Sequence, residues 1–166
     1  DELIEEISEV MREQFAQSFK EIQDNFSQIF RELFGGGEAE IRLSEGEDIL
    51  EADIDIRVSP PGKRMQNLLL LSGGEKTLAA IALLFAIQRL KPTAFCLLDE
   101  VEAALDESNI FRFTEYIRRY SEETQFILVT HRKGTMEICD RLYGVSMQEQ
   151  GVSTVLSVKL RDIEAD

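Results

Sequence analysis

The chain is short of cysteine, histidine, proline and positive charge, and it has no long apolar run. The two cysteines, Cys96 and Cys139, do not form a metal-ligand spacing, which excludes a zinc module. With no signal-peptide pattern at the start, two thiols point to a reducing compartment, so a cytoplasmic location is expected. The most apolar stretch, 77–90, falls short of the about 20 residues needed to span a bilayer and ends at Lys91-Pro92, so no membrane association is expected. Basic residues number 18 against 32 acidic ones, for a net charge of −14. Such a surface repels phosphate backbones, which argues against non-specific nucleic-acid binding by this chain alone. What remains is 166 residues, 43% hydrophobic and 30% charged, enough for one globular domain with a real core.

The stretch that organises the rest is Leu68-Leu69-Leu70-Leu71-Ser72-Gly73-Gly74-Glu75. Ser72 stands where a helix wants an N-cap, and two glycines let the backbone turn its N–H groups towards one point through positive φ. A first helical turn with free N–H groups is a cradle for an anion. A capped helix after a loop is the plainer alternative.

Residues 1–34 contain neither glycine nor proline. Ile4, Ile7, Met11, Phe15, Phe19, Ile22, Phe26, Ile29 and Leu33 recur in eight steps over 29 residues, the α-helical period. Such a helix is roughly 50 Å long. It starts with no capping signal, as the end of a longer helix would, and its Phe-rich later part is expected on a globular surface. Gly35-Gly36-Gly37 stops it. Ala39–Leu43 and the alternation Ile54, Ile56, Val58 predict two strands, and Ser59-Pro60-Pro61-Gly62-Lys63-Arg64 predicts a basic, solvated turn, with a Lys63-Arg64 pair approaching a ligand as the alternative.

From Glu75 to Leu90 the helix is apolar on nearly every side, which predicts burial between layers. Ala94–Leu98 reads as a central parallel strand covered on both faces and ends in Asp99-Glu100, where open α/β sheets place ligands. Asp106 is a good N-cap for a helix over 107–120. Gln125–Thr130 predicts a second buried strand, ending at His131 in the same mouth of the sheet. A short helix over 135–140 and a β-hairpin over 142–160 follow. One hairpin face (Val152, Thr154, Leu156, Val158 and Leu160) is expected to pack on the core.

In order and spacing these signals resemble the ABC-type ATPases. Ser72, Gly73, Gly74 and Glu75 look like the signature motif, and Phe95–Asp99 like the Walker B strand. Glu100 then stands in the place of the catalytic glutamate, Asp106 in the D-loop and His131 as the switch histidine. Ser72 lies 27 residues before Asp99, which lies seven before Asp106, which lies 25 before His131. More narrowly, the segments 30–37, 60–63, 98–106 and 130–136 resemble the C-terminal head lobe of a bacterial SMC (structural maintenance of chromosomes) ATPase, over essentially the whole chain.

The resemblance implies an α/β fold: the C-terminal half of an ABC-type head, with a largely parallel core sheet, flanking helices, a C-terminal β-hairpin and a helix leaving towards a coiled coil. It divides the chain into a neck helix, 1–34, and a head lobe, 35–166. It implies ATP and Mg²⁺ as cofactors, with Asp99 supporting the metal, Glu100 acting on the attacking water and His131 contacting the γ-phosphate. Ser72, Gly73, Gly74 and Glu75 would face the nucleotide of a second head in an ATP-dependent homodimer. It further implies a kleisin winged-helix domain docking on 142–160, DNA bound through the full complex, nucleoid-associated action and a role in chromosome condensation and segregation.

No P-loop is present. The pattern G-x-x-x-x-G-K-[ST] fails at Gly74-Glu75-Lys76, where a Glu intervenes and Leu69 replaces the first Gly, and at Gly62-Lys63, where Arg57 does. In the family it resembles, the P-loop lies in a separate N-terminal lobe, so the resemblance implies that lobe as a partner and the chain as half of an ATPase. The alternatives are a non-catalytic docking module for a kleisin-type partner, or a fragment of another ABC-type ATPase from transport or DNA repair.

Overall fold

A computed structural model describes residues 2–44, 46 and 48–160, the side chain of Glu2 excepted. Parts of the predicted 35–166 lobe, at 45, 47 and 161–166, lie outside the described residues.

Helix α1 (Glu2–Phe34) is unbroken for 33 residues, about 50 Å. Its first three turns carry Leu3, Ile4, Ile7, Val10 and Met11 into solvent, whereas Phe26, Ile29, Phe30 and Leu33 are fully buried. Phe26, Phe30 and Phe34 recur every four residues, so their rings line one face, with centroids 6.1 and 4.0 Å apart. Gly37 then brings the chain against Ser59, whose carbonyl oxygen would lie 2.3 Å from any Cβ. With φ at +85° as well, only glycine fits there.

Strands β1 (Glu38–Leu43) and β2 (Ile54–Ser59) pair antiparallel, and the short β3 (Gln66–Asn67) joins the free edge of β2. A 3-10 turn over Leu68–Leu70 leads into helix α2 (Gly73–Leu90). Strands β4 (Phe95–Asp99) and β5 (Gln125–Val129) form a parallel pair joined by helix α3 (Glu107–Tyr120). The short helix α4 (Lys133–Glu137) precedes the antiparallel hairpin β6 (Arg141–Glu149) and β7 (Val152–Lys159). Phe85 on α2 ties the layers together: it stacks on Phe113 and Tyr116 of α3 and meets Phe126 of β5 edge-on.

Three expectations need correction. The β4–β5 pair is covered on one face only. Leu98 is buried beneath the helices, while Phe95 and Leu97 are each 60% exposed and Ile127 and Val129 nearly half. The continuous apolar run reports a strand fit for two covers, of which this chain supplies one. For the same reason α2 is open on one side, at Leu84 and Ile87. Finally, the hairpin face of Val152, Leu156 and Val158 does not pack on the core, and neither does the opposite face of Tyr143, Val145, Met147 and Val155.

Candidate functional site at the strand ends

The C-terminal ends of β4 and β5 bring three of the predicted site residues together. Asp99 is exposed at the last position of β4, paired in register with Val129. The next residue, Glu100, donates its N–H to the Val129 carbonyl at 2.9 Å, which ties it to the neighbouring strand. Its φ is +47°, the left-handed region that a residue with a Cβ seldom enters. That bend swings its side chain to His131, whose Nδ1 lies 3.6 Å from Glu100 Oε1 with both side chains more than half exposed. Among the described residues no group of three or more His, Cys, Asp or Glu could hold a metal ion. Asp99 can supply one carboxylate to an ion whose other ligands are water and phosphate, a donor set that Mg²⁺ accepts.

The turn behind Glu100 is held by its own backbone, with Ala103 N–H on the Glu100 carbonyl and Leu105 N–H on the Glu102 carbonyl. Asp106 ends it by capping α3, its Oδ1 accepting the Asn109 N–H at 2.8 Å. Glu102 has the least expected position in the site, only 3% exposed. It accepts a hydrogen bond from the Thr130 hydroxyl, which in turn accepts the Arg132 N–H at 3.0 Å. Arg132 reaches back, its Nη2 donating to the Ala103 carbonyl at 2.6 Å. The residues on either side of His131 are thus bonded to the turn that follows Glu100. Sequence reasoning passed over Glu102 because it sits in an acidic run, where Asp99 and Glu100 draw the attention.

The Ser72 loop forms a second surface. Ser72 takes the N-cap position of α2, yet its hydroxyl donates to Glu75 Oε2 at 2.7 Å, and its N–H reaches the same oxygen at 3.3 Å. Glu75 is held in turn by Lys63, whose Nζ lies 2.7 and 2.9 Å from its two oxygens. This ammonium, foremost, holds the Glu75 carboxyl below its ordinary range, against the opposing effect of burial. The basic turn is therefore engaged rather than merely solvated. Gly73 and Gly74 also depart from expectation. Both lie within the helix, and neither has the positive φ invoked for them. A Cβ at Gly74 would lie 3.0 Å from the Ala104 carbonyl, so glycine there lets the loop approach the Glu100–Asp106 turn. A Cβ at Gly73 would meet nothing within 4 Å, so no close approach requires glycine there. No hydrogen bond or ion pair among the described residues joins Ser72 or Glu75 to Asp99, Glu100 or His131.

Comparison with known proteins places these features in context. The family described as the RecF/RecN/SMC N terminal domain matches residues 4–154. The chain is 58% identical to the chromosome partition protein Smc of Bacillus subtilis (strain 168), over 97% of this chain and 14% of that protein. It is 53% identical to the chromosome partition protein Smc of Clostridium kluyveri, over 95% of this chain and 13% of that protein. It thus spans about one-seventh of the length of these relatives. The Smc head domain of Pyrococcus furiosus, solved with an extended coiled coil and bound to the C-terminal domain of ScpA, superposes with a TM-score of 0.85 at 40% identity. That likeness covers 98% of this chain and 41% of the other. A chain from a study of ATP-driven dimerization and DNA-stimulated activation of SMC ATPases superposes with a TM-score of 0.82 at 38% identity, over 92% of both chains.

Proposed function

Since the chain belongs to the RecF/RecN/SMC N-terminal domain family, among the SMC proteins, we propose that it is the C-terminal half of an SMC ATPase head. In this reading residues 1–34 are the neck leading to a coiled coil and 35–166 the head lobe. An N-terminal lobe carrying the P-loop completes the site, and ATP is hydrolysed between two engaged heads.

The observation that carries the reading is the pairing of Glu100 with His131 at the mouth of a parallel strand pair, with Glu100 held there at positive φ. A carboxylate so fixed orients and deprotonates an attacking water, and the neighbouring imidazole meets the γ-phosphate. Asp99 is the residue that would hold Mg²⁺, through water, and the ion would neutralise phosphate charge. Ser72, with the free N–H groups of Gly73 and Gly74, faces the γ-phosphate bound to the other head. Only a triphosphate reaches both surfaces, so hydrolysis releases the heads and turns chemistry into movement of the arms. Action on DNA at the nucleoid, in chromosome organisation and segregation, follows for the full complex.

A docking role stands beside the catalytic one. Both faces of the β6–β7 hairpin are apolar and exposed, and the Pyrococcus furiosus head was solved bound to a ScpA domain. We assign the hairpin to a kleisin winged-helix domain.

Heads reconstituted with a P-loop lobe test the assignments. Glu100→Gln keeps the shape of the side chain and removes the base, so ATP binds and the heads stay associated. Ser72→Arg fills the cradle, so ATP binds but the heads do not associate. Identical sedimentation profiles for the two variants would show that these roles are misassigned.

A further inference from the structure

We propose that Lys63 is a positioning residue for the Ser72 hydroxyl and acts by neutralising Glu75. The proposal rests on the reading of the Ser72 loop as a nucleotide-facing surface.

A hydroxyl that is to donate to a phosphate is poorly served by a carboxylate at its side. Glu75 is such a neighbour: one of its oxygens accepts both the hydroxyl and the N–H of Ser72. Alone it would present a full negative charge at hydrogen-bond distance from the atom meant to approach a triphosphate, and like charges at that range repel. Lys63 removes the difficulty by placing its ammonium across both Glu75 oxygens at 2.7 and 2.9 Å. Glu75 keeps its bond to the Ser72 N–H, the ammonium competes with the hydroxyl proton for Oε2, and the carboxylate–ammonium pair as a unit carries no net charge. The Glu75 side chain is only 18% exposed, while that of Lys63 is 49% exposed, so the carboxylate end of the pair is the part shielded from solvent.

Lys63 is delivered by a turn fixed before any ligand arrives. Its N–H bonds the Pro60 carbonyl at 2.9 Å, and its own carbonyl accepts the Ser59 hydroxyl at 2.8 Å. Gly62, at φ +79°, makes the reversal. The ammonium therefore reaches a residue 12 positions away in sequence from a rigid base.

The test uses the full-length protein that carries this segment, with ATP as the probe. Two quantities are read: ATP affinity of the single head, and ATP-dependent association of two heads by sedimentation. Lys63→Met should weaken association roughly tenfold or more with ATP affinity unchanged, and Lys63→Arg should retain association. The decisive variant is Lys63→Met combined with Glu75→Gln. A neutral amide still accepts from Ser72 and needs no neutralising cation, so association should return. If Lys63→Met associates normally, or if Glu75→Gln fails to restore it, Lys63 is only a brace and the proposal is overturned. If the unsubstituted protein shows no ATP-dependent association, the functional reading fails first and the proposal with it.

Discussion

Glu100 and Glu102 are two residues apart and have opposite surroundings. Glu100 is over half exposed and held in the left-handed region, a conformation that costs an L-residue roughly 1–2 kcal/mol. Glu102 is buried, and it makes that cost sustainable by bonding the turn to the loop that carries His131. Replacing Glu102 by Ala leaves the Thr130 proton without an acceptor, at about 1–3 kcal/mol. It also frees His131 to drift from Glu100, which should lower turnover by on the order of ten- to a hundredfold. Glu102→Gln keeps an acceptor and should recover most of both losses. Urea unfolding and steady-state hydrolysis of reconstituted heads read the two effects separately. Full activity in Glu102→Ala would remove Glu102 from the positioning of His131.

At the scale of elements, the open face of β4–β5 and the exposed start of α1 mark where this chain ends its own packing. Leu97 lies 60% exposed in the middle of that sheet face. Leu97→Lys should therefore change the stability of the chain alone by no more than about 0.5 kcal/mol. It should nevertheless abolish association with a P-loop lobe, because the lysine charge would be buried unpaired. Co-purification measures the second effect, and undiminished capture would place the lobe elsewhere. On the hairpin, Val155→Asp or Ser157→Pro should abolish binding of a kleisin winged-helix domain and spare ATP-driven head association; the Pro variant breaks a strand ladder open to strand addition. Calorimetry reads the binding, and unchanged affinity in both variants would move the docking site.

These elements also show what sequence makes legible. Period and punctuation located α1, the Gly35–Gly37 stop, β4 with its acidic end and the capped start of α3, because each is set by local chemistry. The Phe-rich composition of its later part, rather than the period, marked the buried end of α1. How much of an apolar strand is covered depends on its neighbours, including those on other chains, so Phe95 and Leu97 could not disclose their exposure. The Lys63–Glu75 bridge and the Thr130–Glu102 bond span 12 and 28 positions and leave no local pattern. Gly74 was read for its conformational freedom, whereas its use lies in the close approach of Ala104.

As a whole, the molecule carries a net charge of −14 and, in the proposed reading, two separate nucleotide-facing surfaces, with no P-loop to cradle a β-phosphate. Its apolar sheet face, its hairpin and the start of α1 are three exposed apolar surfaces, which the proposed reading assigns to an N-terminal lobe, a kleisin and a coiled-coil helix. The central claim, that this is half of an ATPase, is tested most directly by ATP hydrolysis of the purified chain with and without the matching P-loop lobe. The account predicts background release of phosphate from the chain alone, and turnover that appears when the lobe is added and disappears again with Glu100→Gln. Hydrolysis by the chain alone that Glu100→Gln abolishes would contradict it.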